Sequence, residues 1–363
     1  MSFDDILLNI ISRLDGERYK HAAFHLMKGK RSGQTLQDTE YYGLHPFFGM
    51  LPSLHAKDFD LAYRRLLASG LITEKEDGTV FLSEAGKMRA AALEPVRLNG
   101  WVYRGMEQLF FARLALTVQT VSHLSAGDRT FMPVSADPSV QRVVRNLFAT
   151  VVRGMNPKEI AVEIRNGLES TGMEDARLSR FLARLSGKGM SGMTWHQLSE
   201  LSGLSEMDLK VEYVETLHIW LDVISEQQTP LLVALSQGVR AESPLTGSAK
   251  KTDELYRAGM GMEEIAERRN LKMSTIEDHF VEIAINDPAF PLRKFAAQED
   301  IEDVRSEAAR LGTRKLSVLK KSFPGLSYFQ LRLILARLGK EDGSDGHDNP
   351  GKPGQPAETG HRI

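Results

Sequence analysis

The sequence contains no cysteine among its 363 residues. This absence excludes disulfides, zinc sites with cysteine ligands, iron–sulfur clusters and thiol nucleophiles, and it fits a reducing compartment. Long hydrophobic runs are also missing, since no apolar stretch approaches the roughly 18–20 residues that a membrane-spanning helix requires. The first five residues are acidic where a signal peptide is basic. These absences predict a cytoplasmic protein without a membrane segment.

A large net charge is absent as well. The chain has 46 Lys and Arg residues against 48 Asp and Glu residues, which gives a formal net charge of -2 at pH 7. A basic surface for nucleic acid must therefore be local rather than global. The length itself predicts two or three domains and allows a sizeable core.

A helix-turn-helix is the most informative pattern that the sequence does contain, and it lies between residues 259 and 285. Glu263–Arg269 is predicted as its first helix, and Asn270 begins the turn. Ser274 is predicted to cap the second helix, and Glu277 three residues later would complete a capping box. Apolar residues at i, i+4 and i+7 predict the buried face of the second helix, at Ile276, Phe280 and Ile283.

The opposite face of this second helix is predicted to be open. It carries Thr275, Asp278, His279 and Glu282. A second helix that presents polar residues from its N-terminal end is the element that enters the major groove of DNA. The sequence therefore predicts that this unit handles nucleic acid.

Basic residues near the motif extend the predicted interface. Residues 313–340 include seven Lys and Arg residues and no Asp or Glu. Such a stretch is typical of a surface that faces phosphates, and cations beside the turn would contact phosphates next to the groove. The predicted DNA-binding residues are Arg268, Arg269, Lys272, Ser274, Thr275, His279, Lys315, Lys320, Lys321 and Arg332.

The patterns along the chain predict a mainly α fold in several domains. These are an N-terminal winged-helix domain (1–93), a central helical domain (94–238), a linker (239–251), a C-terminal helix-turn-helix domain (252–340) and a disordered tail (341–363). The linker and the tail are inferred from composition, because both are rich in polar residues, Gly and Pro.

The winged helix is inferred from a hairpin signal that follows several helices, namely Asp77–Gly78 between two short apolar runs. The wing itself would carry Glu74, Glu76 and Asp77 against Lys75 alone, and acidic groups repel phosphates. The N-terminal domain is therefore predicted to bind either DNA or protein.

Motifs for catalysis are not found. The segment Gly29–Thr35 lacks the Walker A spacing and the preceding strand of a phosphate loop. His21 and His25 are four residues apart, yet the Glu of a zincin motif and a third ligand are missing. We therefore expect a protein that is not an enzyme and that uses no metal or cofactor.

Several motifs resemble the YpbB family. The C-terminal ones are Gly261–Ala266, Ser274–His279 and Leu326–Leu333, which also resemble the helix-turn-helix domain at the C-terminus of some RecQ-type helicases. At the N-terminus, Lys28–Asp38 resembles the YpbB pattern most specifically, except that Gly33 stands where a second serine is expected. The resemblance covers most of the chain in the same order.

This resemblance implies a role beside a RecQ-type helicase, because members of the family are typically encoded next to one and are thought to assist it. The leading prediction is a non-enzymatic accessory protein whose partners are DNA and a RecQ-type helicase. Two alternatives stay open, a sequence-specific transcription regulator and a protein-interaction scaffold. The sequence leaves the oligomeric state and the DNA preference undecided.

Overall fold

The computed structural model describes residues 1–227 and 229–341, and this part of the chain is mainly α-helical. The predicted fold class is thereby confirmed. The predicted disordered tail lies outside the described residues, apart from Glu341 at the end of the last helix. No helix in the described ranges is both long enough and apolar enough to cross a membrane. The same ranges contain no group of three or more acidic or histidine side chains placed to hold a metal ion.

The N-terminal region is built from helices followed by a hairpin, as the sequence predicts. Its elements are α1 (Phe3–Leu14), α2 (Lys20–Met27), α3 (Gly33–Tyr41), a 3-10 helix (His45–Phe47), α4 (Ala56–Ala68), β1 (Ile72–Glu74), β2 (Val80–Leu82) and α5 (Glu84–Ala91). β1 and β2 pair antiparallel, with Ile72 opposite Leu82. Tyr19 forms a bridge to Thr79, so the segment before α2 runs beside the hairpin.

The central region consists of helices around one long buried helix. They are α6 (Gly100–Tyr103), α7 (Glu107–Ser125), α8 (Pro138–Ala149), α9 (Pro157–Glu169), α10 (Asp175–Leu182), α11 (Trp195–Ser202), α12 (Glu206–Gln227) and α13 (Pro230–Ser236). Trp220 of α12 is fully buried and meets the Phe110 ring edge-on, with 5.3 Å between centroids. The same hydrophobic core runs from Phe3 to Val239, so the N-terminal and central regions share it.

The C-terminal region has a core of its own. Its helices are α14 (Gly247–Arg257), α15 (Met262–Arg269), α16 (Met273–Asn286), a 3-10 helix (Leu292–Lys294), α17 (Gln298–Leu311), α18 (Leu316–Ser322) and α19 (Tyr328–Glu341). This second core also contains Tyr41 of α3. Residues 247–251, which the sequence places in a linker, are helical, because Thr246 caps α14 through its hydroxyl.

The start of α16 differs from the prediction. Lys272 occupies the N-cap position with an extended backbone, and α16 begins at Met273. Ser274 lies inside the first turn, so the predicted capping box is wrong. The physical reason is the short turn: Asn270 adopts the left-handed conformation at φ 50°, and only two residues separate it from the start of α16.

Candidate nucleic-acid interface

The helix-turn-helix is formed by α15 and α16, with the left-handed Asn270 between them. Ile265 of α15 and Ile276 of α16 are fully buried in the C-terminal core, which fixes the angle between the helices. Phe280, one turn beyond Ile276, packs against Tyr256 with 4.8 Å between ring centroids. The predicted buried face of the second helix is confirmed.

The face of α16 that the sequence predicts to be open is covered by α14. His279 is only 7% exposed, and its Nδ1 lies 2.8 Å from the Thr252 hydroxyl. Glu282 is 3% exposed, and its carboxylate accepts hydrogen bonds from the amide and, at 3.0 Å, the hydroxyl of Thr246. The predicted exposure of His279 and Glu282 is wrong, because α14 packs along this face.

Arg269 belongs to the same group of contacts. Its guanidinium donates to the carbonyl of Ser248 at 2.8 Å and to the hydroxyl of Ser248 at 3.0 Å. One of its nitrogens also lies 3.5 Å from Nδ1 of His279. Arg269 therefore ties α15 to α14, and of the three predicted cations beside the turn, Arg268 and Lys272 are the exposed ones.

Burial also changes the charge of the covered side chains. Desolvation lowers the pKa of His279, and the nearby charge of Arg269 lowers it further, so the ring is neutral at pH 7. Desolvation raises the pKa of Glu282 above its usual value, although the hydrogen bonds from Thr246 oppose the rise. A neutral, covered histidine offers no positive charge to a phosphate.

Glu282→Gln is expected to flatten the dependence of stability on pH. A carboxyl whose pKa rises on folding holds its proton better in the folded chain. Its contribution to stability is therefore lost as the pH rises from 4.5 through the raised pKa. Glutamine keeps a carbonyl acceptor for Thr246 and does not titrate. Circular dichroism should show a melting temperature, relative to wild type, that is higher at about pH 8 than at about pH 5. An equal difference at both pH values would contradict the assignment.

A second side of α16 is covered by α3, through contacts that we name the α3 clasp: Gly33, Gln37 and Tyr41 of α3 with Asp278 of α16 and Arg332 of α19. The Arg332 guanidinium donates to Asp278 Oδ1 at 2.6 Å and to Gln37 Oε1 at 3.0 Å. The Tyr41 hydroxyl accepts from the Gln37 amide at 3.0 Å and donates to the Arg332 carbonyl at 3.2 Å. Hydrogen bonds therefore join the two halves of the chain here.

Gly33 is the point of closest approach in the α3 clasp. A Cβ atom at this position would lie 2.2 Å from a guanidinium nitrogen of Arg332 and 2.4 Å from Oδ1 of Asp278. Both distances are far below van der Waals contact, so any side chain at residue 33 must displace the ion pair.

Several basic side chains in the described part of the acid-free stretch, residues 313–337, make contacts within the protein. Arg314 donates to the carbonyl of Tyr41 and lies over its ring, 5.6 Å from the centroid. Lys320 donates to two carbonyls of the loop after α18, one of them at 2.9 Å. Arg332 is part of the α3 clasp. Hydrogen bonds within the protein therefore hold these three side chains, and contact of this stretch with phosphates stays a prediction.

The predicted site residues that remain accessible lie mainly at one edge. Among the ten, the exposed side chains are Arg268, Lys272, Ser274 and Lys321, and the partly exposed ones are Arg269, Thr275, Lys315, Lys320 and Arg332. Arg268, Lys272 and Ser274 follow one another around the turn into α16. Among the predicted site residues on α16 and its turn, this edge is the most accessible part, and Glu263, Glu264 and Glu267 of α15 are exposed as well.

Comparison with known proteins identifies the family. A helix-turn-helix domain family matches residues 248–335, a range that includes most of α14 as well as α15 and α16. Protein YpbB of Bacillus subtilis (strain 168) is 30% identical over 344 residues, which are 92% of this chain and 97% of that protein. The chain belongs to the YpbB family. No solved structure matches it.

In this member of the YpbB family, the segment Lys28–Asp38 forms the loop before α3 and the first half of α3, the helix that covers α16. The most specific part of the family resemblance is thus in contact with the helix-turn-helix. Gly33, where a second serine is expected, leaves the space that the Arg332 guanidinium occupies.

One basic surface was missed by the sequence analysis. Residues 138–158 include Arg142, Arg145, Arg153 and Lys158 and no Asp or Glu, and all four basic side chains are exposed in the structure. The signal was available as a second acid-free stretch. It lies in the central region of this YpbB-family protein, outside the matched helix-turn-helix domain.

Proposed function

We propose that this protein is a non-enzymatic DNA-binding protein that assists a RecQ-type helicase. The observation that supports DNA binding is the helix-turn-helix domain in residues 248–335, because this motif places its second helix at a DNA groove. The helicase partner is supported by the resemblance of Gly261–Ala266 and Ser274–His279 to a domain of some RecQ-type helicases. The helicase would supply the motor, and this chain would add a second contact to the same duplex.

The first contact with DNA in this proposal is the accessible edge of the helix-turn-helix. Arg268 and Lys272 flank the turn, and Ser274 lies in the first turn of α16. Cations, hydroxyls and helix amides contact phosphates, which sets position but carries no sequence information. Because α3 and α14 cover the rest of α16, binding in this arrangement is expected to be weak and largely independent of sequence.

Arg268→Ala combined with Lys272→Ala is expected to weaken binding of the full chain to every duplex tested. Removing one phosphate contact should reduce the slope of log affinity against log salt by about 0.9. Fluorescence anisotropy at several salt concentrations measures this slope. Arg293→Ala with Lys294→Ala is the matched control, since both side chains are exposed in the same domain. A slope that stays at the wild-type value would exclude this edge as the contact.

Thr275→Ala tests whether α16 contacts bases, which carry the sequence, or only phosphates. If α16 contacts a base, this change should matter only on a preferred sequence, by about 1–3 kcal/mol. A uniform loss on all sequences would place Thr275 at the phosphates instead.

The helicase partnership has its own test. The full chain is expected to retain a RecQ-type helicase when it is purified from native extract, and to increase the length of duplex that the helicase unwinds. Joining two weak DNA contacts raises avidity on the order of a hundredfold without any new strong contact. Absence of a helicase among the retained proteins, or ATP hydrolysis by this chain alone, would remove the proposal.

A protein-interaction scaffold is the second candidate, and the burial of His279 and Glu282 favours it. The hairpin of the N-terminal region also favours a protein partner over DNA, because its acidic side chains repel phosphates. Glu76 is exposed, and Glu74 accepts a hydrogen bond from the Tyr63 hydroxyl at 2.7 Å. The two functions are distinguished by wild-type binding to duplex DNA at low salt. A chain that retains the helicase but binds no DNA is a scaffold.

A further inference from the structure

The solvent face of α8 is basic and contains no exposed large apolar side chain. Val140, Val144 and Leu147 are buried beneath it. Arg142 and Arg145 are three residues apart and therefore lie on the same side of the helix, facing solvent. The other exposed positions of α8 are Pro138, Ser139, Asn146 and Ala149.

The basic face continues into the turn after α8. Val152 is buried and anchors the turn, while its neighbour Arg153 is exposed. Lys158 is exposed in the first turn of α9. We name Arg142, Arg145, Arg153 and Lys158 the α8 basic face.

Acidic groups do not neutralise the α8 basic face. The two acids at the ends of this stretch each accept a backbone hydrogen bond at a helix N-terminus. Asp137 accepts from the amide of Ser139 at 2.7 Å, and Glu159 accepts from the amide of Asn156 at 2.8 Å. Among the residues that the structure describes, no carboxylate lies within ion-pair distance of these four cations, whereas Lys188, also in the central region, is paired with Asp128 at 2.5 Å.

The chemistry of this face fits a phosphate backbone better than other anionic partners. A protein partner is normally anchored by buried aromatic or apolar side chains at the centre of the interface, whereas α8 exposes no large apolar side chain and residues 138–158 expose a single one, Val151. A membrane-surface helix needs an apolar face toward the lipid, and the apolar face of α8 is used in the core. Binding of single strands relies on exposed aromatic rings, and Phe148, the aromatic residue of α8, packs against the core.

We propose that the α8 basic face binds the phosphate backbone of duplex DNA, as a second contact in the central region of the chain. This proposal rests on the proposed DNA-binding function and extends it to a surface outside the helix-turn-helix. Arg142 and Arg145 are about 4.5 Å apart along the axis of α8, and each strand of duplex DNA presents a phosphate for every 3.4 Å of its axis, so two flexible side chains can reach separate phosphates. The contact is independent of sequence.

The test compares two charge reversals of equal size in the full chain. Arg142→Glu with Arg145→Glu should lower affinity for duplex DNA on the order of tenfold at low salt and reduce the salt slope by about 2. Lys87→Glu with Lys210→Glu is the matched control, because it makes the same change in charge on two other helices. Arg142→Gln with Arg145→Gln removes the charge without adding acids and should show a smaller loss in the same direction. Melting curves establish that every variant is folded.

The outcomes separate this proposal from the helix-turn-helix contact. An unchanged slope with the α8 variants, together with a reduced slope for Arg268→Ala and Lys272→Ala, would overturn the α8 contact alone. Equal losses from the α8 pair and the control pair would also overturn it, as an effect of net charge. Binding to phosphatidylglycerol vesicles that depends on Arg142 and Arg145, without such a dependence for DNA, would assign the face to a membrane and overturn it too. No binding of wild type to DNA would remove both contacts.

Discussion

Gly33→Leu is expected to separate α3 from α16 and to raise the affinity of the full chain for duplex DNA. The new side chain would meet the Arg332–Asp278 ion pair, since a Cβ alone would approach it to 2.2 Å. Overpacking of this kind costs about 1–3 kcal/mol. If opening the α3 clasp relieves that energy, clasp opening and DNA binding are coupled. A coupling free energy of about 1–3 kcal/mol corresponds to a gain of about 5–150-fold in affinity for DNA. Anisotropy measures the gain, and hydrogen exchange of α16 reports the opening.

Gly247→Leu is the matched control for this experiment. Gly247 follows a threonine cap at the first position of α14, as Gly33 follows a serine cap at the first position of α3. A Cβ atom at Gly247 meets nothing within 4 Å. The control should leave both affinity and exchange unchanged. Faster exchange in Gly33→Leu without a gain in DNA affinity would show that the face under α3 does not bind DNA, which favours the scaffold.

His218→Ala is expected to destabilise the shared core by about 3–5 kcal/mol, because it leaves a cavity among buried side chains and removes the acceptor of the Asn99 amide. The side chains of His218 and Glu107 are both fully buried, with His218 Nε2 3.5 Å from Glu107 Oε2. The other ring nitrogen accepts the amide of Asn99 at 3.0 Å. The alanine variant therefore leaves the Asn99 amide without its acceptor, and it leaves a cavity beside the buried Glu107 side chain.

Urea unfolding followed by tryptophan fluorescence measures this effect selectively, because all three tryptophans lie between residues 101 and 220. His196→Ala is the control, since His196 is 74% exposed on α11 and should change stability by less than about 0.5 kcal/mol. Glu107→Met with His218→Leu should recover part of the loss, because the apolar side chains fill the cavity, whereas the Asn99 amide still lacks its acceptor. A small effect of His218→Ala would mean that the core relaxes around the site.

The periodicity of the sequence predicted the helices well and their surroundings poorly. Ile276, Phe280 and Ile283 are buried as predicted, because helical spacing alone places them on one side of α16. His279 and Glu282 are buried too, and no local pattern could show this. Their cover is a neighbouring helix, and their polar groups are satisfied by Thr252 and Thr246. A polar side chain is exposed only when no hydrogen-bonding partner from another element packs against it.

The linker shows a related limit. A run of Ser, Pro, Thr and Gly is typical of loops, yet Thr246 is also a good helix cap, and the helix that it starts completes the helix-turn-helix unit. The domain boundary at residue 252 stays a prediction, but a fragment that begins there would lack Thr246 and the first half of α14. The α8 basic face, in contrast, could have been found from the sequence, since a stretch without acids is visible in the order of the residues alone.

The composition of α3 has a consequence for how the chain is made. Gln37 of α3 and Arg332, its partner in α19, are 295 positions apart in the chain. At a synthesis rate of about 5–20 residues per second, α3 therefore waits roughly 15–60 s on the ribosome for the helices that will cover it. During this time an apolar helix would expose a hydrophobic surface that is prone to aggregation. The waiting face of α3 carries Gly33, Gln37 and the Tyr41 hydroxyl, which water can solvate until Asp278 and Arg332 emerge. This late contact therefore tolerates a long delay.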